Sequence, residues 1–181
     1  LTFPASYKAE TLSFGLTPFV SCPAFEGYVI EDGASLQRTE DGTLLAGGGK
    51  VLVSLPQDFK GTSYTVPDGV EAISDYLFYK KTTITSVTLP ASLKKIGTAA
   101  FQGCTKLTSI TLPDGFTTLG EHAFDGCSAL KTVAFGQSLT SVPAYAFSNC
   151  SALTAVDLPA TVETVGDYAF RGCAKATALS L

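Results

Sequence analysis

A phenylalanine recurs at a constant step of twenty-three positions, at Phe78, Phe101, Phe124, Phe147 and Phe170. Cysteines keep the same step three positions later, at Cys104, Cys127, Cys150 and Cys173. The stretches "FQGCTKL", "FDGCSAL" and "FSNCSAL" carry the pattern most clearly. A unit this short has no room for a strand plus a full helix. Its copies must stack, each burying against its neighbours an apolar face that it cannot bury alone.

Aligned on the phenylalanine, the units contain "TSVTLP" (85–90), "TSITLP" (108–113), "KTVAFG" (131–136), "TAVDLP" (154–159) and "TALSL" (177–181). Ile84, Leu107, Leu130, Leu153 and Ala176 form one apolar column, and Val87, Ile110, Val133, Val156 and Leu179 a second. Leu89, Leu112, Phe135, Leu158 and Leu181 form a third. The period-two tail predicts a strand whose alternate residues face a core. A second apolar pair follows (Leu93 and Ile96, Phe116 and Leu119, Leu139 and Val142, Val162 and Val165), then Gly97, Gly120, Pro143 or Gly166 at a bend. Asp75, Thr98, Glu121 and Asp167 come next, just before the Phe-bearing segment, where a single helical turn is expected to begin. Each unit thus reads as strand, short strand or turn, then one helical turn carrying Phe and Cys inward.

The first third follows the pattern less regularly. In "FVSCPAFEGYVI" (19–30), Phe19, Cys22, Phe25, Tyr28 and Ile30 match Phe101, Cys104, Leu107, Ile110 and Leu112. Ile30 and Val66 share a column but stand further apart than one regular step. Between them "TLLAGGGKVLVSL" (43–55) joins two β-prone runs through Gly47, Gly48 and Gly49, which predicts a hairpin. The expected organisation is one solenoid with a parallel β-sheet over 1–181: an irregular repeat at 1–30, a hairpin-containing repeat at 31–65 and five regular repeats at 66–181.

A chain of 181 residues, 45% hydrophobic and 15% charged, can bury a substantial core. Net charge is −4, and no basic run exceeds a pair, so nucleic acid and anionic membranes are poor partners. No apolar stretch approaches the roughly 20 residues of a membrane-spanning helix. There is no methionine, so the translated start is expected to have been removed by processing or trimming; a cleaved signal peptide fits this. Five cysteines is an odd number, and four of them occupy one repeat position, where their side chains point the same way rather than towards each other. They are expected to be buried free thiols acting as small apolar groups.

Catalytic or ligating signatures are absent from this pattern. The triple glycine lacks the Gly-Lys-Ser/Thr ending and following helix of a phosphate loop. His122 is the only histidine, in a column shared with Tyr76, Ala99, Tyr145 and Tyr168, so it reads as a variable surface position. Glu31-Asp32 and Glu40-Asp41 have no EF-hand spacing. The sequon Asn149-Cys150-Ser151 falls in the cysteine turn and reads as a coincidence of the repeat. No cofactor, metal site or catalytic group is expected.

Two surfaces could meet a partner. The outward columns of the sheet, Ser86, Ser109, Thr132, Ala155, Ala178 and Thr88, Thr111, Ala134, Asp157, Ser180, form a ladder of small groups. Solvated hydroxyls are its plain reading, and Ser109, Thr111 and Asp157 its candidate contacts. The aromatic column Tyr76, His122, Tyr145 and Tyr168 could anchor a partner, or could simply cap the helical turns.

The segment "LTSITLPDGFTTLGEHAFDGC" and its copies resemble the BspA-like leucine-rich repeat family of bacterial and some protist surface proteins. Residues 41–73 look like the hairpin-bearing unit that interrupts such arrays. The resemblance implies a leucine-rich-repeat solenoid in a secreted or cell-surface adhesin that binds a protein or glycan, and carries over no catalytic residues. A structural spacer within a longer surface protein is the alternative.

Overall fold

The computed structural model describes residues 2–3, 29–30, 36–56 and 59–180. The repeat expected at 19–30, with Cys22, lies outside the described residues apart from Val29–Ile30, which pairs in parallel with Thr2–Phe3.

From residue 63 onward the chain winds as a parallel β-solenoid, and each coil takes up one step of the sequence repeat. Three-residue strands at Ser63–Thr65, Ser86–Thr88, Ser109–Thr111, Thr132–Ala134, Ala155–Asp157 and Ala178–Ser180 line one side. Paired strands run parallel with every residue opposite its equivalent one period on, as in Ser109↔Thr132 and Ile110↔Val133. Between these ladders single bonds carry the contact, such as Thr108 N–H to the Thr85 carbonyl at 3.2 Å. Two-residue strands at Ala72–Ile73, Lys95–Ile96 and Thr118–Leu119 build a second face. There Val51–Ser54 pairs with Ala72–Ile73, then turns back on Leu44–Ala46 as an antiparallel hairpin, with Gln37–Arg38 at the edge. The three hairpin glycines have φ of +59°, +66° and +88°, values that bulkier residues adopt at a cost. The Tyr64 hydroxyl lies 2.9 Å from the buried Thr43 hydroxyl, fastening the hairpin to the first regular coil.

The expected single helical turns are not there; among the described residues the structure has no helix at all. The Phe-bearing segment is instead a run of tight turns, and its hydrogen bonds show why. Ala100, Gln102 and Cys104 donate backwards to Gly97, Ala99 and Phe101 within their own coil. The alternate amides, Ala99, Phe101 and Gly103, donate instead to Glu121, Ala123 and Asp125 of the next coil. Half the amides are therefore spent on stacking, and an α-helical ladder cannot form from the remainder. Left-handed backbone at Ala99 (φ +52°) and Gly103 (φ +74°) alternates the peptide directions, and every regular coil repeats it.

This alternation brings the coils close enough for ring stacking. Neighbouring rings from Phe78 to Phe170 lie 4.7–5.4 Å apart with interplanar angles of 3–7°. These distances are within the attractive range of parallel aromatic rings. Phe78, Phe101, Phe124 and Phe147 are fully buried; Phe170, at the last coil, is only partly so. Ile84, Leu107, Leu130 and Leu153 are also fully buried, whereas Ala176, in the last described coil, is exposed.

The cysteine column does more than fill a small space. Each thiol donates to the carbonyl of the phenylalanine 26 residues earlier: Cys104 to Phe78 and Cys127 to Phe101 at 3.1 Å, Cys150 to Phe124 and Cys173 to Phe147 at 3.2 Å. All four are free thiols. Alanine or valine would fit as a small apolar group but has no donor.

Gly120 is required for a different reason from a bend. A Cβ there would fall inside contact distance of the Gly97 carbonyl carbon and the Thr98 nitrogen of the preceding coil. Both obstacles are backbone, so neither can swing aside. Gly120→Ala is expected to cost about 1–3 kcal/mol through overpacking. Urea unfolding beside wild type checks this; an unchanged midpoint would show that the coils are not so closely stacked.

Candidate partner-binding surfaces

The sheet's outward positions alternate with buried ones, so that Ser109, Thr111 and Asp157 are exposed while Ile110 and Val156 are buried. Ser109 faces along the ladder to Thr132, and Thr111 to Ala134. The threonines just before these strands are already occupied. Thr85, Thr108, Thr154 and Thr177 donate their hydroxyls to carbonyls one coil back, at 2.9–3.4 Å. The two outward rows beyond them make an exposed, sparsely charged surface.

The other surface runs along the turn edge. Tyr76, His122, Tyr145 and Tyr168 fall in one column as the sequence suggests, with Ala99 interrupting it. With no helical turns to cap, their reading as caps falls away. His122 and Tyr145 stack at 4.7 Å and 8°, and Tyr145 and Tyr168 at 5.1 Å and 25°. Tyr76 turns instead to Tyr79, edge to face at 5.8 Å. Tyr168 is 57% exposed and Tyr76 37%, so the ridge is most open at its two ends. The Arg171 guanidinium lies 5.6 Å from the Tyr168 ring centroid and the Lys80 ammonium 5.0 Å from that of Tyr79.

His122 is tied to its own coil through Asp125. Its Nδ1 lies 3.2 Å from Asp125 Oδ2, which also accepts from Gln102 Nε2 at 2.9 Å. Asp125 Oδ1 accepts from Asn149 Nδ2 at 3.0 Å. One carboxylate thus joins three successive coils. Sequence reasoning missed this role of Asp125 and the place of Arg171. The available signal was their column, Tyr79, Gln102, Asp125, Ser148 and Arg171, where every coil carries a different residue.

The thiols are poor nucleophiles in this setting. Burial pushes Cys104 up to about 12, raises Cys127 and Cys150 well above the ordinary thiol value, and raises the half-buried Cys173 as well. Among the described residues, no group of three or more His, Cys, Asp or Glu side chains could hold a metal ion, and no helix is long and apolar enough to cross a membrane.

Six copies of the BspA type leucine rich repeat match the chain across residues 57–179. The chain belongs to the BspA-type leucine-rich-repeat family. This BspA-type chain superposes on a leucine-rich repeat protein from Eubacterium ventriosum with a TM-score of 0.76 at 27% identity, covering 87% of its own length and 42% of that protein. It superposes on the T. pallidum leucine rich repeat protein with a TM-score of 0.70 at 32% identity, covering 81% of its own length and 69% of that chain. A leucine rich cell surface protein from Faecalibacterium prausnitzii shares the fold at 20% identity and a TM-score of 0.53, over 80% of this chain and 52% of that one. No curated protein matches. The BspA-type family is bacterial, surface-associated and generally linked to adhesion or binding.

Proposed function

We propose that this chain is one solenoid over residues 1–181 that acts as an extracellular or cell-surface adhesion module. It binds a protein or glycan through the exposed sheet face around Ser109, Thr111 and Asp157. The observation that carries this reading is the face itself. Equivalent short side chains recur on successive coils, exposed beside a ladder of fixed register. A rigid repeated face of this kind suits an extended ligand, because each coil offers the same contact without any reordering on binding. The surface association of the family supports the location.

The test is binding to immobilised extracellular-matrix proteins and to a glycan array, comparing wild type with Ser109→Arg/Thr111→Arg. The expected result is a ligand bound tighter than millimolar by wild type and at least tenfold more weakly by the variant, with the melting temperature unchanged. If neither array yields such a ligand, the spacer reading replaces this one. If the variant binds as well as wild type, the ligand uses another surface.

A further inference from the structure

We infer that Pro143 makes one seam of the solenoid a built-in hinge, about which residues 131–180 bend against residues 63–130. The seam lies on the second face, between Thr118–Leu119 and Ser141–Val142. The other seams of that face, from Ala72 to Val165, are closed by backbone bonds. Lys94 and Lys95 both donate to the Glu71 carbonyl, and Gly97 donates to Ile73 at 2.9 Å. One coil on, Thr117 and Thr118 donate to Lys94, and Gly120 to Ile96 at 2.9 Å. Beyond the seam, Glu163 donates to Thr140 at 2.8 Å and Gly166 to Val142 at 2.7 Å. At the seam itself, no backbone bond joins residues 116–120 to residues 139–143. Side chains do not replace the missing bonds. Ser92 and Thr161 donate to the carbonyls of Val70 and Leu139 at 2.8 and 2.7 Å, whereas Ser138, in the same column at the seam, makes no such bond.

Proline at this position opens the seam in two ways. It has no N–H, so the bond that Gly97, Gly120 and Gly166 each make is lost. Its Cβ also needs room that the column lacks. A Cβ on Gly97, Gly120 or Gly166 would run into the backbone of the preceding coil, at Asp75, Thr98 and Ala144 respectively. The Cβ of Pro143 is accommodated only where its coil stands off from Gly120 and Glu121. That stand-off shows one residue further on. His122 N–H reaches the Ala144 carbonyl at 3.3 Å, against 2.9 Å for Tyr76 to Thr98 and for Ala99 to Glu121, and 3.0 Å for Tyr145 to Asp167.

The other two sides of the seam hold. Ser109–Thr111 and Thr132–Ala134 stay paired in register, and on the turn edge Phe124 and Gly126 donate to Ala146 and Ser148 at 2.8 Å. Coils fastened in this way bend by opening the unfastened side, with the strand ladder as the hinge line and the turn-edge bonds taking the load. At the two neighbouring seams the strand side is the thinner one, yet Thr108 and Thr154 still donate there to Thr85 and Lys131 at 3.2 Å. Each half keeps its own rows fixed. Bending alters the angle between the row at Ser109 and Thr111 and the row at Asp157, which lie on opposite sides of the hinge.

Amide hydrogen exchange, read residue by residue by NMR, tests the hinge without any ligand, so its failure leaves the binding proposal untouched. Phe101 and Gly103 cross the preceding seam, Phe124 and Gly126 the hinge seam and Phe147 the following one, all with bonds of 2.8 Å. Bond length alone gives these amides equal protection. With the hinge, Phe124 and Gly126 should exchange about tenfold faster than Phe101 and Phe147 on either side. Fraying from an end cannot produce a minimum of protection in the middle of the array. Pro143→Gly supplies the donor and removes the Cβ, and should raise the protection of Phe124 and Gly126 to that of Phe101. Pro143→Ala supplies the donor alone and should recover clearly less. A wild type in which Phe124 is as well protected as Phe101 overturns the inference, whether or not the variants fold. A folded Pro143→Gly variant with unchanged exchange overturns it too, and equal recovery in the two variants overturns the part assigned to the Cβ.

Discussion

Raising the pH from 8 to 10 is expected to destabilise this protein by about 6 kcal/mol, with reductant present throughout. The cause is the thiol column. Cys104, Cys127 and Cys150 are fully buried, and burial raises each well above the ordinary thiol value, favouring the protonated form in the folded state. In the unfolded chain a thiol ionises near its ordinary value of about 8.5. Between those values the unfolded state binds fewer protons than the folded one, so stability falls as pH rises. Stability from these groups is complete below the unfolded value and is lost as pH climbs towards the folded one. At pH 10 the loss is about 2 kcal/mol for each buried thiol. Tyr64, raised by burial beside Thr43, begins to act in the same direction near pH 10. Urea unfolding at pH 8, 9 and 10 measures the slope. Replacing all three cysteines with alanine should remove most of it, at the cost of the three bonds to the phenylalanine carbonyls. A wild-type midpoint that does not move with pH would mean that the thiols are not held protonated in the core.

Phe124→Ala is expected to cost about 3–5 kcal/mol. Its ring is fully buried between Phe101 at 5.1 Å and Phe147 at 5.3 Å, nearly parallel to both. Truncation leaves a cavity in a middle coil and breaks two stacking contacts at once. The neighbouring coils cannot close the gap, because Phe124 N–H and Phe101 N–H hold them at a fixed separation through their bonds to Ala146 and Ala123. Phe170→Ala should cost clearly less, since that ring stacks on one side only and is partly exposed. Thermal unfolding of both variants checks the pair of expectations. Equal losses at 124 and 170 would mean that the stack contributes little beyond local burial.

Much of this fold was legible because repetition turns a weak local signal into a strong one. A single "TSITLP" is an ambiguous apolar run, but copies at a constant step set the side-chain alternation, the parallel register and the Phe, Cys and Leu columns together. The hairpin glycines were readable for a local reason as well, since a run of three glycines between β-prone segments leaves few alternatives. The coincidence of Tyr76, His122, Tyr145 and Tyr168 in one column also followed from counting.

The turn between the strands was not legible, and the reason is physical. A segment such as "GTAAFQGC" contains residues that suit a helix, and a local reading assigns it one. What decides its conformation is where Ala99, Phe101 and Gly103 send their amides, and the acceptors Glu121, Ala123 and Asp125 belong to the next coil. The same holds for Gly120, read as a bend but required by the approach of Gly97 and Thr98, and for Asp125, whose partners lie one coil away on each side. The sequence by itself determined the period, the strands, the core columns and the family. Contacts between coils decided the turn backbone, the thiol bonds and the electrostatics of the ridge, because those groups are satisfied by neighbours about one period away in the chain.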